Sequence, residues 1–141
     1  MAVRSVLATL LCASALAACS GAPAKEPLGA TCDQFQATPT IQQAVVTTVG
    51  ADIRVVLCAN PSTGFTWEDP QIADPAVIRL ADRGYRAPDG TGSPMVGAAG
   101  SETLTVRALA AGSTTLSTRY SQPWEGGTKG DWTYRLSITV R

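Results

Sequence analysis

Four cysteines and no histidine define the chemistry open to this 141-residue chain. Without histidine there is no Ser-His or Cys-His nucleophilic pair, and the commonest metal ligand is missing. The cysteines at 12, 19, 32 and 58 form no CxxC pair and the carboxylates are scattered, so neither a metal nor a cofactor is expected. No paired carboxylates stand in as an acid–base set, and the chain reads as a non-enzyme. Its 11 basic and 11 acidic residues cancel to a formal charge of zero with no basic stripe, which leaves nucleic-acid binding without electrostatic support.

Two of the cysteines belong to the N-terminus. Arg4 precedes an uncharged apolar run, Val6 to Ala18, which is too short to span a membrane and reads as a signal-peptide core. It ends in 16-LAAC-19, followed by Ser20 and Gly21. Leucine, two small residues and cysteine resemble a bacterial lipobox. That resemblance implies removal of residues 1–18, lipid on Cys19, and a protein held on the exported face of a cell membrane. Acyl chains add about 0.8 kcal/mol per buried methylene, so a multiply acylated Cys19 is a firm anchor. The small, Pro/Gly-rich stretch that follows, closing the segment 19–31, reads as a flexible tether. Cys12 leaves with the signal. Cys32 and Cys58 remain in an oxidising compartment and are expected to form a disulfide.

Three stretches of the remaining 32–141 segment are unusual for connections. The first is 58-CANPSTGFTW-67. Pro61 fixes one φ, Gly64 admits positive φ, and Asn60 can bond into its own turn, so Ser62 and Thr63 ride on a stiff crest. Phe65 and Trp67 follow at strand spacing and can anchor the descending arm. The second is 90-GTGSPMVGAAGSE-102, where Gly97, Ala98, Ala99 and Gly100 leave a bare backbone open to close approach. The third is 121-SQPWEGG-127, in which Gln122 and Pro123 lead to Trp124 on a Gly-flanked tip. A tryptophan there either folds back on the core or serves as a binding anchor. Each stretch taken alone is as compatible with a plain turn as with a binding loop.

The elements that must hold these loops are strands. Trp132, Tyr134, Leu136, Ile138 and Val140 alternate with polar residues at period two, as do Leu104 and Val106, and Thr114, Leu116, Thr118 and Tyr120. Residues 44–49 and 76–80 give further strands. The run 53-IRVVLCA-59 is nearly all apolar, which predicts a central strand covered on both sides. Gly50, Pro61, Pro70, Pro75, Pro88, Gly90 and Gly112 punctuate the chain, and no long stretch has helical periodicity. Short strands with frequent turn signals predict an all-β sandwich, with loops clustered at its ends.

Taken in order, NPxTG with a following aromatic, a GxxG loop ending in Ser-Glu, and a PW loop before a C-terminal strand resemble the chagasin-type inhibitors of papain-like cysteine proteases. The resemblance runs from about Thr40 to Arg141. It implies an immunoglobulin-like β-sandwich of about 7–8 strands with three inhibitory loops at one end, acting as a monomer without cofactor. The partner it implies is a papain-like cysteine protease, blocked reversibly and without a covalent bond. By position, Asn60, Pro61, Ser62, Thr63, Gly64 and Phe65 would enter the cleft, flanked by Gly97–Gly100 and by Gln122, Pro123 and Trp124. Two residues depart from the family pattern. Ala99 stands where a glycine is usual and Gln122 where an arginine is usual. They keep open a second reading, an envelope module of the same fold that has lost inhibition and binds another protein or glycan.

The anchor generates the first prediction. Cys19→Ala should release the protein from membranes or leave its precursor unprocessed. Detergent-phase partitioning checks this, and unchanged partitioning of the variant contradicts the lipid anchor.

Overall fold

The computed structural model describes residues 27–89 and 97–141. The signal segment, Cys19, the tether up to residue 26 and positions 90–96 of the glycine-rich loop lie outside the described residues. The chain orders β1 (Gly29–Ala30), α1 (Cys32–Ala37), β2 (Thr40–Thr47), β3 (Asp52–Ala59), a 3-10 turn (Pro61–Thr63), β4 (Thr66–Trp67), β5 (Gln71–Ile72), β6 (Ile78–Arg86), β7 (Gly100–Ala108), β8 (Gly112–Ser121) and β9 (Trp132–Val140). One sheet runs β1-β3-β7-β6 and the other β2-β9-β8-β4, with β5 also on β8.

Alternation does the sorting. Val55, Leu57, Leu104 and Val106 face inward from the first sheet, and Leu116, Tyr134, Leu136 and Ile138 face them from the second, all essentially inaccessible. Truncating one such leucine to alanine costs about 2–5 kcal/mol, through lost transfer energy and the cavity left behind. Strand β3 departs from its apolar sequence. It is central, but Arg54 and Val56 lie on an uncovered outer face, and Val56 is 38% exposed. Only Cys58 is buried there, because α1 is fastened over it.

Helix α1 lacks the length to show a period. It forms through a capping box: Thr31 Oγ1 accepts from the Gln34 N–H at 3.3 Å and Gln34 Oε1 accepts from the Thr31 N–H at 2.8 Å. Its product is the placement of Phe35, fully buried and stacked on Trp132 at 5.0 Å between ring centroids. The expected disulfide is present. Cys32, the first residue of α1, is bonded to Cys58 with the Cα atoms 5.1 Å apart. Closing this 26-residue separation restricts the unfolded chain, an effect worth about 3 kcal/mol for a loop of that size.

The tether is shorter than its sequence suggested. Gly29 and Ala30 pair in parallel with Val56 and Leu57 and are buried, so residues 27–31 belong to the fold. Gln43 secures them across the two sheets: its Oε1 accepts from the Gly29 N–H at 2.8 Å and from the Tyr134 hydroxyl at 2.6 Å.

Strand registers gather the three loops at one end. Ala59 lies opposite Gly100, Thr66 opposite Ser121, and Tyr120 opposite Trp132, so all three connections leave the sandwich together.

Burial pushes the Tyr134 hydroxyl far above its ordinary value near 10. A raised native value means that this group's contribution to stability is complete below about pH 10 and is lost as pH rises above it. The melting temperature should therefore hold to about pH 10 and then fall. Tyr134→Phe should melt lower at neutral pH but fall less steeply in alkali. Equal alkaline slopes for the two proteins contradict this.

Candidate functional site

The first loop is a closed turn. Pro61 opens it, Thr63 N–H donates to the Asn60 carbonyl at 3.2 Å, and Gly64 N–H donates to the Pro61 carbonyl at 3.0 Å. The Thr63 hydroxyl adds a second bond to the Asn60 carbonyl at 2.7 Å, and Ser62 Oγ donates to Asn60 Oδ1 at 2.5 Å. Pro61, Ser62 and Thr63 are exposed at the crest. Gly64 ends the turn at φ +80°, a left-handed conformation that a side chain disfavours.

Below the crest the loop stands on aromatic rings. Asn60 N–H donates to the Tyr120 hydroxyl at 2.7 Å. Tyr120 stacks on Phe65 at 5.4 Å and Trp132 at 4.9 Å, and meets Trp67 at 5.0 Å. Trp67 in turn donates its indole N–H to the Cys58 carbonyl at 2.9 Å. Burial raises the Tyr120 hydroxyl above its ordinary value, partly offset by the Asn60 N–H, so it stays neutral in this role at physiological pH.

The second loop is described from Gly97 onward. Gly97 takes φ +91°, whereas no described residue other than glycine has positive φ, so Ala99 sits without backbone strain. The departure from glycine at 99 is thus tolerated by the loop's own geometry. Gly100 is fixed by a close approach, since a Cβ there would lie 2.2 Å from the Arg86 carbonyl oxygen and 2.7 Å from the Tyr85 hydroxyl.

The third loop is closed from below. Gln122 N–H donates to the Thr128 carbonyl at 2.8 Å, and Gln122 Oε1 accepts from the Thr128 N–H at 3.0 Å. Lys129 Nζ donates to the Trp124 carbonyl at 2.9 Å and also to the Gln122 carbonyl. Gln122 is therefore a strut of the loop, and the cation of this loop comes from Lys129 on its returning arm. At the base, Gly130 N–H donates to Ser121 Oγ at 2.7 Å, which donates to Glu68 Oε1 at 2.6 Å. That Ser121 bond, with help from Arg119 and against some desolvation, lowers the Glu68 carboxyl below its ordinary range.

Two contacts join the loops. Asn60 Nδ2 donates to the Gly97 carbonyl at 3.0 Å, tying the first loop to the second. The Trp124 ring lies on Gly64, where a Cβ would come within 2.4 Å of Cη2, tying the first to the third. Trp124 remains 49% exposed. The structure thus brings Asn60–Phe65, Gly97–Gly100 and Gln122–Trp124 into one ridge. Among the described residues no group of His, Cys, Asp and Glu could hold a metal ion.

The model of the chagasin family of peptidase inhibitors I42 matches residues 46–138, a span that contains all three loops. The chain belongs to the chagasin family. Chagasin-family proteins are peptidase inhibitors, not enzymes. Similar solved structures include the cysteine protease inhibitor EhICP2 from Entamoeba histolytica, at 24% identity and TM-score 0.62, covering 81% of this chain and 95% of that one. PbICP-C, solved in complex with falcipain-2, is 15% identical with TM-score 0.53, covering 82% of this chain and 93% of that one. These likenesses show the shared sandwich fold. No curated protein sequence matches the chain significantly.

Three supports of this chagasin-family ridge were not singled out from the sequence. Tyr120 looked like one more inward residue of an alternating strand. Lys129 followed a glycine-rich tip with no pattern to mark it. Glu102, the acid that ends the second loop's motif, is buried and pairs with Arg83 of β6, which also reaches the Trp67 carbonyl and, at 2.9 Å, Asp69. That guanidinium clips the edge of the first sheet to β4 of the second. The serine–glutamate pair at 101–102 was the available signal.

Gly64→Ala tests the seat. It should cost about 1–2 kcal/mol from left-handed strain alone and should displace the Trp124 ring. Denaturant melts and the tryptophan emission spectrum check both effects. Parent-like stability and emission would contradict the packing.

Proposed function

We propose that this domain is a reversible, non-covalent inhibitor of papain-like cysteine proteases that fills the active-site cleft with its three-loop ridge. The observation that carries this reading is the cross-bracing of the loops by Asn60 to Gly97 and by Trp124 on Gly64. A protease holds its substrate extended, with a carbonyl in line with the thiolate. The crest offers the opposite. The Asn60 and Pro61 carbonyls are already engaged inside the 3-10 turn. Such a turn can occupy the cleft without presenting these carbonyls for attack.

Asn60, Pro61, Ser62, Thr63, Gly64 and Phe65 then form the plug, with Thr63 nearest the protease thiol. Gly97–Gly100 lies against one wall of the cleft, and Gln122, Pro123 and Trp124 against the other. Trp124, half-exposed and held from beneath, has the character of a binding hot spot. A ridge set before binding has little conformational entropy left to lose. Lipid on Cys19 would hold this inhibitor in the cell envelope, on the exported face, where the disulfide is stable.

Trp124→Ala should weaken inhibition of a papain-like protease at least about tenfold, or 1.4 kcal/mol. Thr63→Arg should weaken it by a clash in the cleft. Ser113→Ala, at the other end of the sandwich, should leave it unchanged. Binding should survive when the protease thiol carries a small methylthio block. Inhibition constants with circular dichroism as a folding control check these outcomes. A folded domain that leaves papain fully active would instead favour a module that binds another envelope ligand.

A further inference from the structure

The end of the sandwich opposite the three loops carries its own surface. Four segments meet there: Val49 N–H donates to the Arg141 carbonyl at 3.2 Å, Gly50 N–H to the Ala108 carbonyl at 2.9 Å, and Leu109 N–H to the Val77 carbonyl at 2.8 Å. The tips of these turns are apolar and uncovered, with Val49 52% and Leu109 40% exposed. Arg54, Arg79 and Arg107 stand near the same end with Asp52, Asp74 and Asp82, and Arg107 is ion-paired with Asp52.

The chain also enters the fold on this side. β1 runs parallel to β3, with Gly29 beside Val56, so the residues before it lie toward the Asp52 end of β3. Pro27 and Leu28 accordingly line a recess with Thr47, Asp52 and Arg54, well away from Asn60. From Arg54 to Asn60 is six residues of extended chain, about 20 Å. The eight residue steps from Cys19 to Pro27 reach about 30 Å at full extension. An upright domain uses little of that reach, whereas bringing the loops down to the membrane would require the tether to double back along the sandwich.

We infer that the end bearing Val49 and Leu109 faces the lipid surface, and that the inhibitory ridge is held away from it toward the aqueous space. This rests on the lipid anchor at Cys19 proposed above. Val49 and Leu109 supply shallow apolar contacts, and the exposed Arg54 and Arg79 can each meet a headgroup phosphate. The orientation selects the partner. A soluble protease arriving from the aqueous side meets an unobstructed ridge, while a protease lying flat on the same membrane does not reach it.

The test uses the full lipidated mature protein in vesicles of phosphatidylcholine and phosphatidylglycerol that contain a headgroup-nitroxide lipid. A genetically encoded environment-sensitive fluorophore replaces Val49, Leu109 or Ser62 in separate proteins. Nitroxide should quench the probes at 49 and 109 several-fold more than the probe at 62. Vesicle-bound and detergent-free soluble protein should inhibit soluble papain equally. Equal quenching at all three positions, or strongest quenching at 62, overturns the orientation. Failure of the unmodified mature protein to sediment with vesicles is a failure of the anchor. In that case coupling Cys19 to a maleimide lipid repeats the measurement and still decides the orientation. Loss of papain inhibition by the free protein is a failure of the inhibitor reading, and leaves the quenching result intact.

Discussion

The bond from the Asn60 N–H to the Tyr120 hydroxyl is where the core of this protein meets its loops. Tyr120 belongs to both. Its ring is packed among Phe65, Trp67 and Trp132, and through Trp132 and Trp67 it reaches Phe35 on the short helix. Its hydroxyl alone emerges to hold the backbone of the first loop. The position of the crest is therefore set by the packing of five aromatic rings, and each of those rings is held by something else: a strand register, a capping box, or the disulfide beside Ala59. A loop with three exposed residues gains the rigidity of the core through one oxygen.

Charge has a similar role in the layer outside the rings. Glu102 is buried and would be costly there alone. Arg83 satisfies it and directs its remaining donors to the Trp67 carbonyl and Asp69, so one pair closes the gap between the two sheets just below the loops. On the other side the chain Gly130, Ser121, Glu68 and Arg119 fixes the base of the third loop. These polar contacts carry the arms of the loops, while the aromatic cluster carries the crest.

Much of this was legible in the residues. Period-two alternation marked the long strands, because each buries one face. Pro61, Gly64 and Asn60 marked a stiff turn, because each constrains or caps a backbone in a known way. The disulfide followed from elimination among four cysteines. What escaped was of two kinds. Helix α1 and strand β1 are too short for any period, and the helix rests instead on its Thr31–Gln34 capping box. The contacts between loops escaped for a different reason: Asn60 to Gly97 and Gly64 to Trp124 are separated by tens of residues, and nothing local in either partner specifies the other. The same limit hid what Gln122 holds. Its partner, Thr128, and Lys129, which donates to its carbonyl, stand on the far arm of the loop.

The seat of Trp124 on Gly64 bears on how such an inhibitor diversifies over evolutionary time. The two positions form one unit, since any side chain at 64 evicts the indole and loss of the indole uncovers the glycine. Asn60 is bound in the same way to the second loop. Substitutions at these places must arrive in concert or not at all, so they should drift slowly as a set. Ser62, Thr63 and Ala99 are exposed and brace neither neighbouring loop. A lineage can vary Ala99 freely, and Ser62 and Thr63 among residues that keep the hydroxyl bond to Asn60, and these are the natural places for it to follow a changing target.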